Sequence, residues 1–68
     1  MFEPSQRVKV NLSGLTINGV AFSQNVQEAL GVIVKQVSAE PSVDLVELLF
    51  TFKGIKRVAV PEDRIQRG

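Results

Sequence analysis

Glu62 and Asp63 are the only adjacent acids in the chain. Paired carboxylates can do acid–base work or hold Mg²⁺ or Ca²⁺. Here they follow Pro61, at the start of a turn, where acids commonly complement the backbone dipole. Glu47 sits inside an apolar run, and a carboxylate buried there would have a perturbed pKa. Its parity is opposite to that of Val46, so it is assigned to the outer face with Thr51. Arg7 and Lys9 lie close together near the start, and Lys53, Lys56 and Arg57 close together further on. These five suit phosphate contacts or an acidic protein partner. They equally suit a solvated face whose charges block edge-to-edge strand pairing. Single-strand binders add exposed aromatics for base stacking. This chain has four Phe, no Tyr and no Trp, and at least two Phe are needed for a core, which counts against nucleic acid. There is no His and no Cys. Thiolate or imidazole zinc sites and disulfides are therefore excluded. No histidine can activate a serine or threonine. A Ser–Lys dyad is formally available, but so short a chain encloses a site poorly. No enzyme activity and no cofactor is expected.

Those side chains need elements to hold them. The stretch from Asp44 to Pro61 reads as one β-hairpin turning at Lys53-Gly54. Val46, Leu48, Phe50 and Phe52 alternate, which puts all four on one strand face. Leu45 and Leu49 fall on the opposite face, where Ile55 can join them. Apolar residues on both faces mean either cover on both sides or an exposed patch for a partner. Before the hairpin, Val8, Val10 and Leu12 alternate with Arg7, Lys9 and Asn11, a half-buried strand. Met1 to Ser5 is a lead-in, with Phe2 tucked against the core. Ser13-Gly14 and Asn18-Gly19 are turn signals, not phosphate loops. Leu15 and Ile17 between them make either a short strand or the wall of a long loop, with Val20-Ala21-Phe22 as its anchor. That loop runs from Leu12 to Glu28. So many large apolar residues in it predict that Leu15, Ile17 or Phe22 partly covers Leu45 and Leu49.

Residues 25 to 38 support two readings. As a helix, Val26, Ala29, Leu30, Ile33 and Val37 share a face, and Asn25 with Glu28 resembles a capping box. As a strand, Val32-Ile33-Val34 is a β-branched run, and Gly31 disfavours a helix by roughly 1 kcal/mol against Ala. The strand reading, from about Ala29 to Val37 after a polar loop Ser23 to Glu28, is adopted. Ala39 to Ser42 is a loop, since Pro41 is excluded from a central strand. After Pro61 comes one helical or 3₁₀ turn. Ile65 folds back to the core, and Gln66-Arg67-Gly68 frays.

The 68 residues make one small domain, spanning 1–68. Cores of this size rarely supply more than about 3–5 kcal/mol. Apolar residues are 44% of the chain and the net charge is +1. That balance carries none of the basic excess that nucleic-acid binders show. Apolar runs reach only two or three residues, too short to span a membrane. The start lacks the regions of a signal peptide. Together with the absence of cysteine, this fits a cytoplasmic protein.

Phe2, Val8 and Val10, then Gly31, Val32 and Ile33, then Val58, Val60 and Ile65 fall in an order that resembles small bacterial SH3-like barrels. The opening matches their aromatic-x-x-Gly-x-x-Val-x-Val strand, except that Ser5 stands where glycine is usual. The Gly31 segment is similar to the second strand of KOW-type modules. The overall spacing is similar to small docking subunits of photosynthetic electron-transfer complexes. Examples are the variable subunit of ferredoxin–thioredoxin reductase and the small ferredoxin-docking subunit of photosystem I. The resemblance implies a fold, and a fold does not fix a function. It carries no functional residue to this chain.

The expectation is an all-β, five-stranded SH3-like barrel with a long loop between its first two strands. The alternative is an α+β domain, ββαββ, with a helix at about 25–38. The expected function is that of a non-enzymatic protein-docking or assembly module. Its candidate partner-binding residues are Leu45, Leu49, Lys53, Lys56, Arg57, Arg7 and Lys9. The alternative is a KOW-like nucleic-acid-binding module using the five cations.

Overall fold

The computed structural model describes residues 2–68. Its regular structure is β throughout, apart from one 3₁₀ turn. Five strands form the main antiparallel sheet: β1 (Arg7–Val10), β4 (Ala29–Ala39), β5 (Ser42–Phe52), β6 (Ile55–Pro61) and β7 (Ile65–Arg67). Their spatial order is β6-β5-β4-β1-β7, and β2 (Thr16–Ile17) pairs with β3 (Val20–Ala21) separately. The main sheet ends at β6 and β7, with no ladder between them among the described residues. The all-β expectation holds. Over residues 29–33 the alternation decides against the helix: Ala29, Gly31 and Ile33 are buried, while Leu30 is exposed.

Local chemistry sets the connections. At Lys53-Gly54 both residues have positive φ, 50° and 82°. This is the backbone that a two-residue hairpin turn needs, and it matches the twist of the strands. Asn18-Gly19 does the same for β2 and β3, with φ of 51° and 78°. Gly31 serves differently. A Cβ built there would lie 2.6 Å from Cγ1 of Val46 and 3.0 Å from the carbonyl oxygen of Glu47. Its role is to let β4 approach β5. Ser5 has φ of 71° and donates its N–H to the Ile33 carbonyl at 2.7 Å. The lead-in strap thus needs a left-handed residue where the resemblance places glycine.

The core lies on the inner face of the sheet. Val8, Val10, Ile33, Val46, Leu48, Val58, Val60 and Ile65 fill it from the strands, and Leu12 and Phe22 from the long loop. Leu15, Ile17, Val20 and Val26 of that loop pack against the same core, as do Phe2 and Phe52. Burying these apolar side chains is the main favourable term available to so small a domain.

Four expectations are corrected. Phe50 is 46% exposed, not core. Between the pairs Glu47↔Arg57 and Phe52↔Ile55 the ladder is irregular: residues 48–51 of β5 face only Lys56 of β6. Such a bulged stretch breaks the period of two on which the parity argument rests. Leu48 stays inside, while Leu49, Phe50 and Thr51 all reach solvent. Ile55 does not join Leu45 and Leu49; it is buried in the core at the turn. Gln66 and Arg67 do not fray, because β7 pairs with β1 through Val8↔Arg67, Lys9↔Gln66 and Val10↔Ile65. Finally, the long loop leaves Leu49 57% exposed. Its apolar residues go to the core, and Phe22 meets Phe52 with ring centroids 4.8 Å apart.

Candidate functional site

Register places the candidate side chains. Arg7, Val32, Glu47 and Arg57 stand in one row across β1, β4, β5 and β6. Two residues along, Lys9 pairs with Leu30 on the same outer face. The last β4–β5 pair towards the tip is Gly31↔Leu48, and Leu30 and Leu49 are the next residues on the two strands. On the other side of the row, Leu45 stands between Lys35 and Ala59. The centre of the outer face therefore carries Leu30, Val32, Leu45 and Leu49, with Glu47 standing between Leu45 and Leu49. Leu30 is 47% exposed, and Val32 and Leu45 are half-buried.

Cations frame that centre. The Arg57 guanidinium Nε donates to Glu47 Oε1 at 3.1 Å, and Lys9 Nζ lies 3.6 Å from Glu28. Both pairs are exposed enough to be worth little in stability. Among the described residues Arg7, Lys35, Lys53 and Lys56 make no ion pair. Lys53 and Lys56 are exposed at the hairpin tip. Of the seven candidate residues, Arg7, Lys9, Leu45, Leu49 and Arg57 thus share the outer face, and Lys53 and Lys56 lie at its end. Edge protection does not explain Arg7 and Lys9, because β1 is flanked by β4 and β7. Leu30 was not among the candidates, although in the strand from about Ala29 to Val37 it has the parity of Val32, opposite to Gly31 and Ile33. Next to this face, Phe50 and Phe52 line a shallow cavity of about 300 Å³ with Asn25, Val26, Glu28 and Ala29.

A second polar feature lies within the fold. Asp44 is fully buried, and neither carboxylate oxygen has a hydrogen-bond partner among the described residues. The sequence signal was available: Asp44 has the parity of Val46 and Leu48 on the same strand. The 3₁₀ turn Glu62–Arg64 packs against β5 and brings Glu62 to Asp44. Burial raises the Asp44 pKa above the usual 3.8, and the charge of nearby Glu62 raises it further. The amino-terminal charge works in the opposite direction. The acid pair is thus split. Glu62 turns inward to Asp44, Asp63 is exposed, and the turn has no side-chain cap hydrogen bond. Arg64 anchors the turn, donating from one guanidinium nitrogen to the carbonyls of Asn11 and Ser13 at 3.2 and 3.1 Å. Among the described residues no cluster of three or more His, Cys, Asp or Glu is placed to hold a metal ion, and no helix is long and apolar enough to cross a membrane.

No protein-family model, no curated protein and no solved structure matches this chain.

Proposed function

We propose that this chain is a non-enzymatic docking domain that binds a protein partner through the outer face of β4 and β5. The observation that carries the reading is the group Leu30, Val32, Leu45 and Leu49 on one face, crossed by the Glu47–Arg57 pair and flanked by Arg7, Lys9 and Lys35. Contiguous exposed apolar surface rimmed by polar groups marks interaction sites. The frame favours a partner with an apolar anchor and acidic surroundings, since complementary charge steers encounter and sets register. The strand order supports an SH3-like barrel as the scaffold, and the absence of cysteine supports a cytoplasmic setting.

The test pairs Leu30→Ser with Leu49→Ser in one variant. Both sites are about half exposed, so its melting temperature should stay close to wild type. A partner captured by the wild type and lost by the variant supports docking. A partner retained by the variant overturns it. Fluorescence anisotropy with single-stranded DNA and RNA tests the KOW-like alternative. Binding that weakens steeply with salt and is untouched by the double substitution would replace protein docking with nucleic-acid binding.

A further inference from the structure

We infer that the partner is an extended, acidic segment of another protein, anchored by one large apolar side chain in the cavity between the ends of β4 and β5. The inference rests on the docking reading above and specifies its occupant. The β4–β5 ladder ends towards the tip at Gly31↔Leu48. On the β6 side no regular pairing joins Glu47↔Arg57 to Phe52↔Ile55. Among the described residues Leu49, Phe50 and Thr51 thus have no ladder partner on either neighbouring strand, and all three are exposed. Ala29 and Leu30 pair with Val10 and Lys9 of β1 but form no pair with β5. Strand backbone without a neighbour is a template to which an extended chain adds, and pockets beside it select side chains.

The cavity supplies such a pocket. Val26 and Ala29 line it from the β4 side, and Phe50 and Phe52 from β5. Phe52 is held from behind by Phe22, with ring centroids 4.8 Å apart, so that wall is fixed. Phe50 is the exposed wall that an occupant would cover. Asn25 and Glu28 are the polar lining residues, and both are exposed. At about 300 Å³ the cavity lies at the lower end of the range for ligand pockets, about 300–1,000 Å³. A shallow site of that size suits one Phe, Leu or Met side chain better than a cofactor. A single anchor side chain in a pocket is a common form of interface hot spot.

Charge selects the rest of the occupant. Lys53 follows Phe52 at the turn, and Lys56 is the β6 residue that faces the unmatched stretch of β5. Both are exposed, and neither makes an ion pair among the described residues. The acids nearby are engaged, Glu28 with Lys9 at 3.6 Å and Glu47 with Arg57 at 3.1 Å. The uncompensated charge at this end of the sheet is therefore positive. A segment with Asp or Glu beside its anchor is complementary to it. A second copy of the chain is a poor occupant, because a symmetric contact here would bring the Lys53 and Lys56 of both copies together. Single-stranded nucleic acid needs several stacking platforms, and of the four Phe only Phe50 is exposed.

The probe is a displayed library of random dodecapeptides, selected on the whole chain at low salt. Selected peptides are then titrated by fluorescence anisotropy against the wild type, Phe50→Ser, the pair Lys53→Glu with Lys56→Glu, and the pair Leu30→Ser with Leu49→Ser. Amide NMR spectra check that each variant is folded and locate the peptide. Expected are peptides with one large apolar residue flanked by Asp or Glu, and amide shifts centred on Ala29, Leu30 and Leu49 to Phe52. Phe50→Ser and the lysine pair should each weaken binding about tenfold or more. Peptides that hold their affinity for Phe50→Ser but lose it for the Leu30 and Leu49 pair overturn the cavity and leave docking on the outer face standing. Peptides that bind every variant like the wild type overturn both. Enrichment of no peptide, or of peptides without acids, overturns the extended acidic segment, while capture of a folded partner is read by the assay above. A single-stranded oligonucleotide that binds more tightly than any selected peptide, and is lost on Phe50→Ser, replaces the protein segment with nucleic acid.

Discussion

Replacing Gly31 with alanine tests the packing between β4 and β5 at its tightest point. The added methyl lies 2.6 Å from Cγ1 of Val46 and 3.0 Å from the Glu47 carbonyl oxygen. Neither neighbour yields easily. Val46 is fully buried, and its β-branched side chain is stiff at χ1. Glu47 is held by strands on both sides, opposite Val32 and Arg57. Overpacking of this kind costs about 1–3 kcal/mol. A Gly→Ala change also restricts the unfolded chain, which offsets about 0.4–1 kcal/mol where no strain arises. The net expectation is a loss of about 1–2 kcal/mol, or a melting temperature lower by roughly 4–16 °C in a domain this small. Urea denaturation followed by circular dichroism measures it. The cause is separable from a general loss of strand order by a double-mutant cycle with Val46→Ala. Removing Cγ1 relieves the closer contact, so the pair should be less destabilised than the sum of the single changes. A Gly31→Ala protein more stable than wild type, or strict additivity with Val46→Ala, would refute the close-approach argument.

Ser5→Gly should stabilise by about 0.5–1 kcal/mol, because it relieves a left-handed conformation in a residue with a Cβ; a lowered urea midpoint would contradict this. Leu48→Ala should cost about 2–5 kcal/mol as a core truncation, while Phe50→Ala two residues on should stay within about 1 kcal/mol. Equal losses in thermal melts would show that the irregular register of β5 is misplaced. Arg64→Gln should cost about 1–3 kcal/mol by removing charged donors from the Asn11 and Ser13 carbonyls. Faster amide exchange at Asn11 and Ser13 is the accompanying readout.

Most of the architecture was legible because its signals are local. Alternation over Val8–Leu12 marks β1, and Lys-Gly between two apolar runs marks the β5–β6 hairpin. At residues 25–38 the sequence pattern favoured a helix by its spacing and a strand by its β-branched run. Tertiary pairing on both sides of β4 outweighed the helical spacing. Phe50 was misplaced for a related reason. Parity propagates along a strand only while its ladder is regular, and nothing in Leu48–Thr51 announces that the β5–β6 ladder is irregular there. The fraying expected at Gln66 failed because β1 needed a second neighbour, a requirement that no local pattern encodes.

The same contrast separates the two candidate sites. Arg7, Lys9, Leu45 and Arg57 could be assigned to a face one by one from parity, whereas Leu49 was expected to lie under the long loop and is exposed. Their assembly into one face was not legible, because it depends on the registers joining four strands. Leu30 completes that face only once β4 is known to be a strand. Asp44 is the converse case. Its parity with Val46 and Leu48 already placed it inward, but an acid at the head of a strand reads naturally as a turn residue. Glu62 arrives beside it from the far end of the hairpin, eighteen residues later, and its charge adds to the effect of burial in raising the Asp44 pKa. Two carboxyls that look unrelated in sequence become neighbours when β6 returns along β5, bringing Val60 opposite Asp44 and the 3₁₀ turn directly after it. The outer face depends on side chains left exposed, whereas the inner pair depends on one that is not. Substitutions at Leu30 and Leu49 should therefore act on binding with little effect on stability. Asp44→Asn should instead weaken the loss of stability with rising pH that the raised Asp44 pKa produces, read from thermal melts at several pH values.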